Sequence, residues 1–81
     1  MRVNFRVNNL DGDGEWEVLM EIGTSTNVFK KEGKYKKKSS AIEMVKRFAT
    51  MVTPDTDVTA VVTDLADIHN PVVYEKSDLV G

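Results

Sequence analysis

The sequence predicts an α+β fold: a mostly antiparallel sheet, β-β-β-α-β with a candidate fifth strand, and one helix packed on one face. Three observations carry this. Residues 3–8 and 15–22 alternate apolar and polar side chains with a period of two. Residues 41–52 repeat apolar side chains at spacings of three and four. After Pro54 a β-branched run returns to strand character. At 81 residues the chain is read as one domain spanning 1–81.

In order along the chain, Val3, Phe5 and Val7 alternate with Asn4, Arg6 and Asn8, a strand with one buried face. Asn9 to Gly14 is a turn cluster whose glycines can take positive φ. Trp16, Val18, Met20 and Ile22 alternate with Glu15, Glu17, Leu19 and Glu21, which makes a second strand and closes a β-hairpin. Gly23 to Asn27 is a second turn. A third, lysine-rich strand is expected over 28–36, anchored by Val28, Phe29 and Tyr35, with a bulge at Gly33.

The helix is expected over 40–52. Its stripe is Ala41, Ile42, Val45, Phe48, Ala49 and Val52. Ser40 and Glu43 have the spacing of a capping box, Glu43 and Arg47 that of an i,i+4 ion pair, and Thr53-Pro54 ends the helix. Asp57–Asp64 reads as a fourth strand, 64–67 as a short turn, and 71–75 as an edge strand after Pro71. The tail over 75–81 is expected to fray.

Composition excludes several function classes. With 41% hydrophobic and 30% charged residues the chain is too apolar for a disordered tail, and no apolar run approaches the roughly 18 residues of a membrane span. It has no cysteine, which removes disulfides, thiolate metal sites and cysteine nucleophiles. The first residues lack the apolar core of a signal peptide, so a cytoplasmic protein is expected. A chain of this length buries about 60–65% of its unfolded surface, a thin core with little room for a deep catalytic cavity.

Individual candidate sites are weak. Asp11-Gly12-Asp13-Gly14-Glu15 suggests a calcium loop, but the register with glycine at the sixth position puts Met20 where the bidentate Glu belongs. A hairpin turn is the better reading. His69 is the sole histidine and is expected to be exposed or capping. There is no Gly-x-Ser-x-Gly elbow and no phosphate-cradling glycine loop. The expectation is a non-enzymatic protein with no catalytic residue, cofactor or metal.

Charge is distributed unevenly. The formal net charge is −2, yet Lys30, Lys31, Lys34, Lys36, Lys37, Lys38, Lys46 and Arg47 supply eight of the eleven basic residues. With Glu32 and Glu43, residues 30–47 carry +6 and the remainder −8. Lys36, Lys37 and Lys38 precede the helix, where the macrodipole disfavours cations. These eight residues are the candidate partner-binding set. The expected function is a binding module that docks an anionic macromolecule, either nucleic acid or an acidic protein surface. A lysine-decorated edge strand that resists edge-to-edge pairing explains the same residues without a partner. A protein–protein adaptor or inhibitor, including a phage-encoded one, stays open as the alternative.

Tyr35-Lys36-Lys37-Lys38-Ser39-Ser40-Ala41, followed by Val45 and Phe48, resembles the Tyr-x-x-Lys-x-Ser-Ala strand-to-helix junction of YegP-like small bacterial proteins. The resemblance covers about residues 16–48 and departs at Met44, where that family usually has glycine. It implies a strand-strand-strand-helix unit, found as tandem repeats or homodimers, with no established activity. The same stretch is similar to the arm-binding domain of phage integrases and to the double-stranded RNA-binding domain. The latter's first helix has no counterpart here, and Glu15, Glu17 and Glu21 oppose the former's use of the sheet for DNA.

Overall fold

The computed structural model describes residues 1–23 and 28–80. It is an α+β fold, a five-stranded mixed sheet with one main helix. The strands are β1 (Arg2–Asn8), β2 (Glu17–Ile22), β3 (Val28–Lys30), β4 (Asp57–Thr63) and β5 (Val72–Tyr74). Helix α1 is Lys38–Met51, a 3-10 turn spans Leu65–Asp67, and a short helix α2 is Lys76–Leu79. The sheet order is β3-β2-β1-β4-β5. β1 pairs antiparallel with β2 and parallel with β4, so the one parallel pair lies at the centre and the chain from β2 to α1 makes the crossover.

Register places the core. Phe5 lies opposite Met20 on one side and Ala60 on the other, and Val7 lies between Val18 and Val62. One face of the sheet thus presents Val3, Phe5, Val7, Val18, Val58, Ala60 and Val62 as a buried layer. α1 sets Ala41, Val45 and Ala49 against it; two of these being alanine allows close approach of helix and sheet. Phe48 meets Phe5 edge to face at 5.1 Å between ring centroids. The opposite face is polar and internally paired: Arg6 Nε lies 2.7 Å from Glu21 Oε1, Lys30 Nζ 2.8 Å from Glu17 Oε1, and Thr59 Oγ1 donates to Asn4 Oδ1 at 2.7 Å. Glu21 Oε1 is buried and receives no hydrogen bond of good geometry, so the charge of Arg6 is its compensation.

Four expectations are corrected. The third strand does not run over 28–36. After Lys31 N–H donates to Val18 C=O, pairing breaks at Glu32–Gly33 and resumes only where Trp16 and Tyr35 exchange both backbone hydrogen bonds. Four residues of the third segment therefore span two of its partner, a bulge with two extra residues that Gly33 permits with φ +79°. Phe29 does not anchor this strand; it is 53% exposed.

The helix begins two residues earlier than expected and has no Ser40–Glu43 capping box. Ala41 N–H donates to Lys37 C=O at 3.4 Å, so Lys37 is the N-cap and offers no side-chain acceptor, while Ser40 lies inside the first turn. The tail does not fray over its whole length. Leu79 is buried, Glu75 N–H donates to Asp78 Oδ2 at 2.8 Å, and Lys76 Nζ donates to the carbonyls of Thr53, Pro54 and Thr56. No helix among the described residues is long and apolar enough to cross a membrane.

Candidate functional site

The eight basic residues of the 30–47 segment fall into three groups. Lys30 is held by Glu17 on the polar face of the sheet. Lys34 is clamped between two residues of the β1–β2 loop, 2.5 Å from Asp11 Oδ2 and 2.7 Å from Asp13 Oδ2. Glu15 N–H also donates to Asp13 Oδ1 at 2.9 Å, and Gly12 and Gly14, both at positive φ, let the loop curl over the lysine. The hydrogen bond from Lys34, followed by that from Glu15 N–H, holds the Asp13 carboxyl below its ordinary range, and the two carboxylates push Lys34 up. The Asp11–Glu15 run thus serves as a counter-charge for a lysine in the bulge. Arg47 pairs loosely with Glu43, 3.9 Å away and exposed.

Lys46 faces elsewhere. It borders a depression with Met51 and Leu79 on the flank of α1 toward α2, about 200° around the helix from Met44 at 100° per residue.

Lys31, Lys36, Lys37 and Lys38 remain. None has a carboxylate within 4.0 Å among the described residues. They form a ledge around the bridge that joins Trp16 to Tyr35. Lys31 Nζ stands 4.6 Å from the Tyr35 ring centroid and Lys38 Nζ 5.9 Å from that of Trp16. Both aromatic rings are largely covered, so they serve as floor for the cations and not as open stacking platforms. The first turn of α1 contains no acidic residue, so nothing in it offsets these charges.

Two recesses adjoin the ledge, one on each side of Met44. One, about 530 Å³, lies over the first turns of α1 beside Tyr35, Ser39, Ser40 and Arg47. The other, about 260 Å³, lies between β3 and α1 and is apolar, walled by Met20, Phe29, Met44 and Phe48 with Lys30 and Lys31. The apolar recess was not legible in the sequence. Met20 reads as the buried face of a strand and Met44 lies outside the expected helix stripe, and only the register that puts Phe29 opposite Met20 at a sheet edge shows the row running out from under the helix. His69 is exposed in the turn after Leu65–Asp67, where Asp67 accepts from the Asn70 side chain at 2.8 Å.

No family model, curated protein or solved structure matches the chain.

Proposed function

We propose that the chain is a non-enzymatic binding module that docks an anionic macromolecule on the ledge of Lys31, Lys36, Lys37 and Lys38. The observation that carries this reading is the contrast within the basic segment. Lys30, Lys34 and Arg47 each stand beside a carboxylate, whereas Lys31, Lys36, Lys37 and Lys38 have none within 4.0 Å among the described residues. Holding Lys36, Lys37 and Lys38 together at a helix N-terminus costs a few tenths of a kcal/mol each, and an incoming anion offsets that cost through the same charges. The electrostatics are those of steering and shallow contact: exposed pairs contribute about 0.2–1 kcal/mol each, so several must act together. The cysteine-free composition agrees with a cytoplasmic setting for this module.

Binding of a fluorescent DNA duplex and of polyglutamate, each at low and at physiological salt, tests the reading. The expected result is a dissociation constant of about 10–100 μM at low salt for at least one of them, weakened at least tenfold in Lys36/Lys37/Lys38→Ala. Absence of binding to both at low salt removes the proposal.

A further inference from the structure

The helix-facing residues Phe5, Met20 and Phe29 sit side by side across β1, β2 and β3, and cover fails along that row. Phe5 is 2% exposed and Phe29 53%. α1 lies over β1 and leaves the apolar recess open beside β3. β3 is also a sheet edge. Lys31 N–H donates to Val18 C=O at 3.0 Å, and bonded pairs alternate along an antiparallel ladder, so the N–H and C=O of Lys30 point away from β2. An open hydrogen-bonding edge, an apolar recess and a cationic ledge therefore meet at residues 29–31.

We propose that this edge takes an acidic, extended segment of a partner protein, which adds a strand outside β3 and seats an apolar side chain beside Phe29. The inference rests on the anion-docking reading and narrows it to one class of partner. The edge supplies main-chain hydrogen bonds, and the recess between Phe29 and Met44 supplies a pocket for one of the alternating side chains. Lys31, on the same side as Phe29, and Lys36–Lys38 beyond Tyr35 supply the charge that selects acidic neighbours around that anchor. A phosphate backbone has no group for the recess. A second copy is a poor occupant, because an antiparallel β3–β3 pair centred on the outward groups of Lys30 sets Lys30 against its own copy.

The test is a titration of the isotope-labelled full chain with a short synthetic peptide of alternating Glu and Val, followed by amide and methionine-methyl signals. Controls are an alternating Glu and Ser peptide and a DNA duplex. The expected result is movement of the Phe29, Lys30 and Lys31 amides and the Met20 and Met44 methyls, with new exchange protection of Lys30 N–H. The Glu–Ser peptide should bind at least about tenfold more weakly, as loss of an apolar anchor requires. Lys30→Pro, which deletes the outward N–H, and Phe29→Glu should each weaken binding at least about tenfold, and Lys30→Ala at most about twofold. If Lys30→Pro does not fold, Phe29→Glu at an exposed position carries the same test.

Equal affinity for the Glu–Ser peptide, or shifts confined to Lys36–Lys38, overturns the inference and leaves the anion-docking reading standing. Protection of Lys30 N–H without peptide, together with a doubled mass, assigns the edge to a second copy and also overturns it. No response to any of these anions at low salt removes both.

Discussion

At the scale of single residues, internal ion pairs decide which charges are left for a partner. Lys34 is the clearest case, because its two acceptors lie 23 and 21 residues upstream in a loop whose aspartates look like metal ligands in the sequence. The spacing of Asp11 and Asp13 was legible; the cation they serve was not, because it comes from a bulge whose position depends on strand register. The clamp has a pH signature. Hydrogen bonds hold Asp13 (from Lys34), Asp55 (from Thr53) and Asp64 (from Ala66 N–H) below the ordinary carboxylate value. A depressed folded-state pKa stabilises the fold above the unfolded value of about 3.9 and loses that contribution as pH falls through the folded value. The urea midpoint should therefore stay level from neutral pH to about 5 and decline below about 4. In Lys34→Ala the Asp13 carboxyl, followed by carbon NMR, should titrate closer to its ordinary value; an unchanged titration would mean that Lys34 does not hold it.

At the scale of elements, periodicity was a reliable guide and termini were not. The stripe of α1 was legible because Ala41, Val45 and Ala49 recur at one helical phase, and that phase is what the sheet buries. Its start was not, because Ser40 and Glu43 have the spacing of a cap, whereas Ser40 lies inside the first turn and Glu43 beyond it. Ser40→Ala is accordingly expected to leave stability unchanged or raise it by up to about 0.5 kcal/mol from helix propensity, where loss of a true cap costs about 1 kcal/mol. Phe48→Ala, which removes the ring packed on Phe5, should cost about 3 kcal/mol and lower Tm by more than about 10 °C.

The docking of the tail was not legible for a related reason. Leu79 and Lys76 tie α2 down, one into the core and one onto the carbonyls after α1, and neither contact has a local signature. Leu79→Ala should cost about 2 kcal/mol and release amide protection in α2 before the sheet opens. A wild-type α2 already unprotected would contradict the docking of this helix.

At the scale of the molecule, the sheet order explains why a nearly neutral chain has a directional surface. The strands that carry Glu17, Glu21, Arg6 and Lys30 neutralise one another on the open face. Beyond β3, Lys31 and Lys38 stand over the rings of the bridged Tyr35 and Trp16, and Lys36 and Lys37 lie between them in the chain, exposed. The charge asymmetry itself could be counted from the sequence. Which lysines would remain unpaired could not, because Glu17 and Lys30, or Asp11 and Lys34, are brought together by cross-strand register and by the bulge. The apolar recess beside the ledge was hidden for the same reason: its walls come from β2, β3 and α1, and only the end of helix cover at β2 opens it.

The most direct test of the ledge is the salt dependence of binding to the same anionic duplex or polyglutamate, read from the tryptophan beneath Lys38. A plot of log affinity against log salt should be steep for the wild type and shallower by about two to three in Lys36/Lys37/Lys38→Ala, one unit for each cation engaged. An equal slope in the two proteins would contradict the account, because it would place the anion somewhere other than on these lysines.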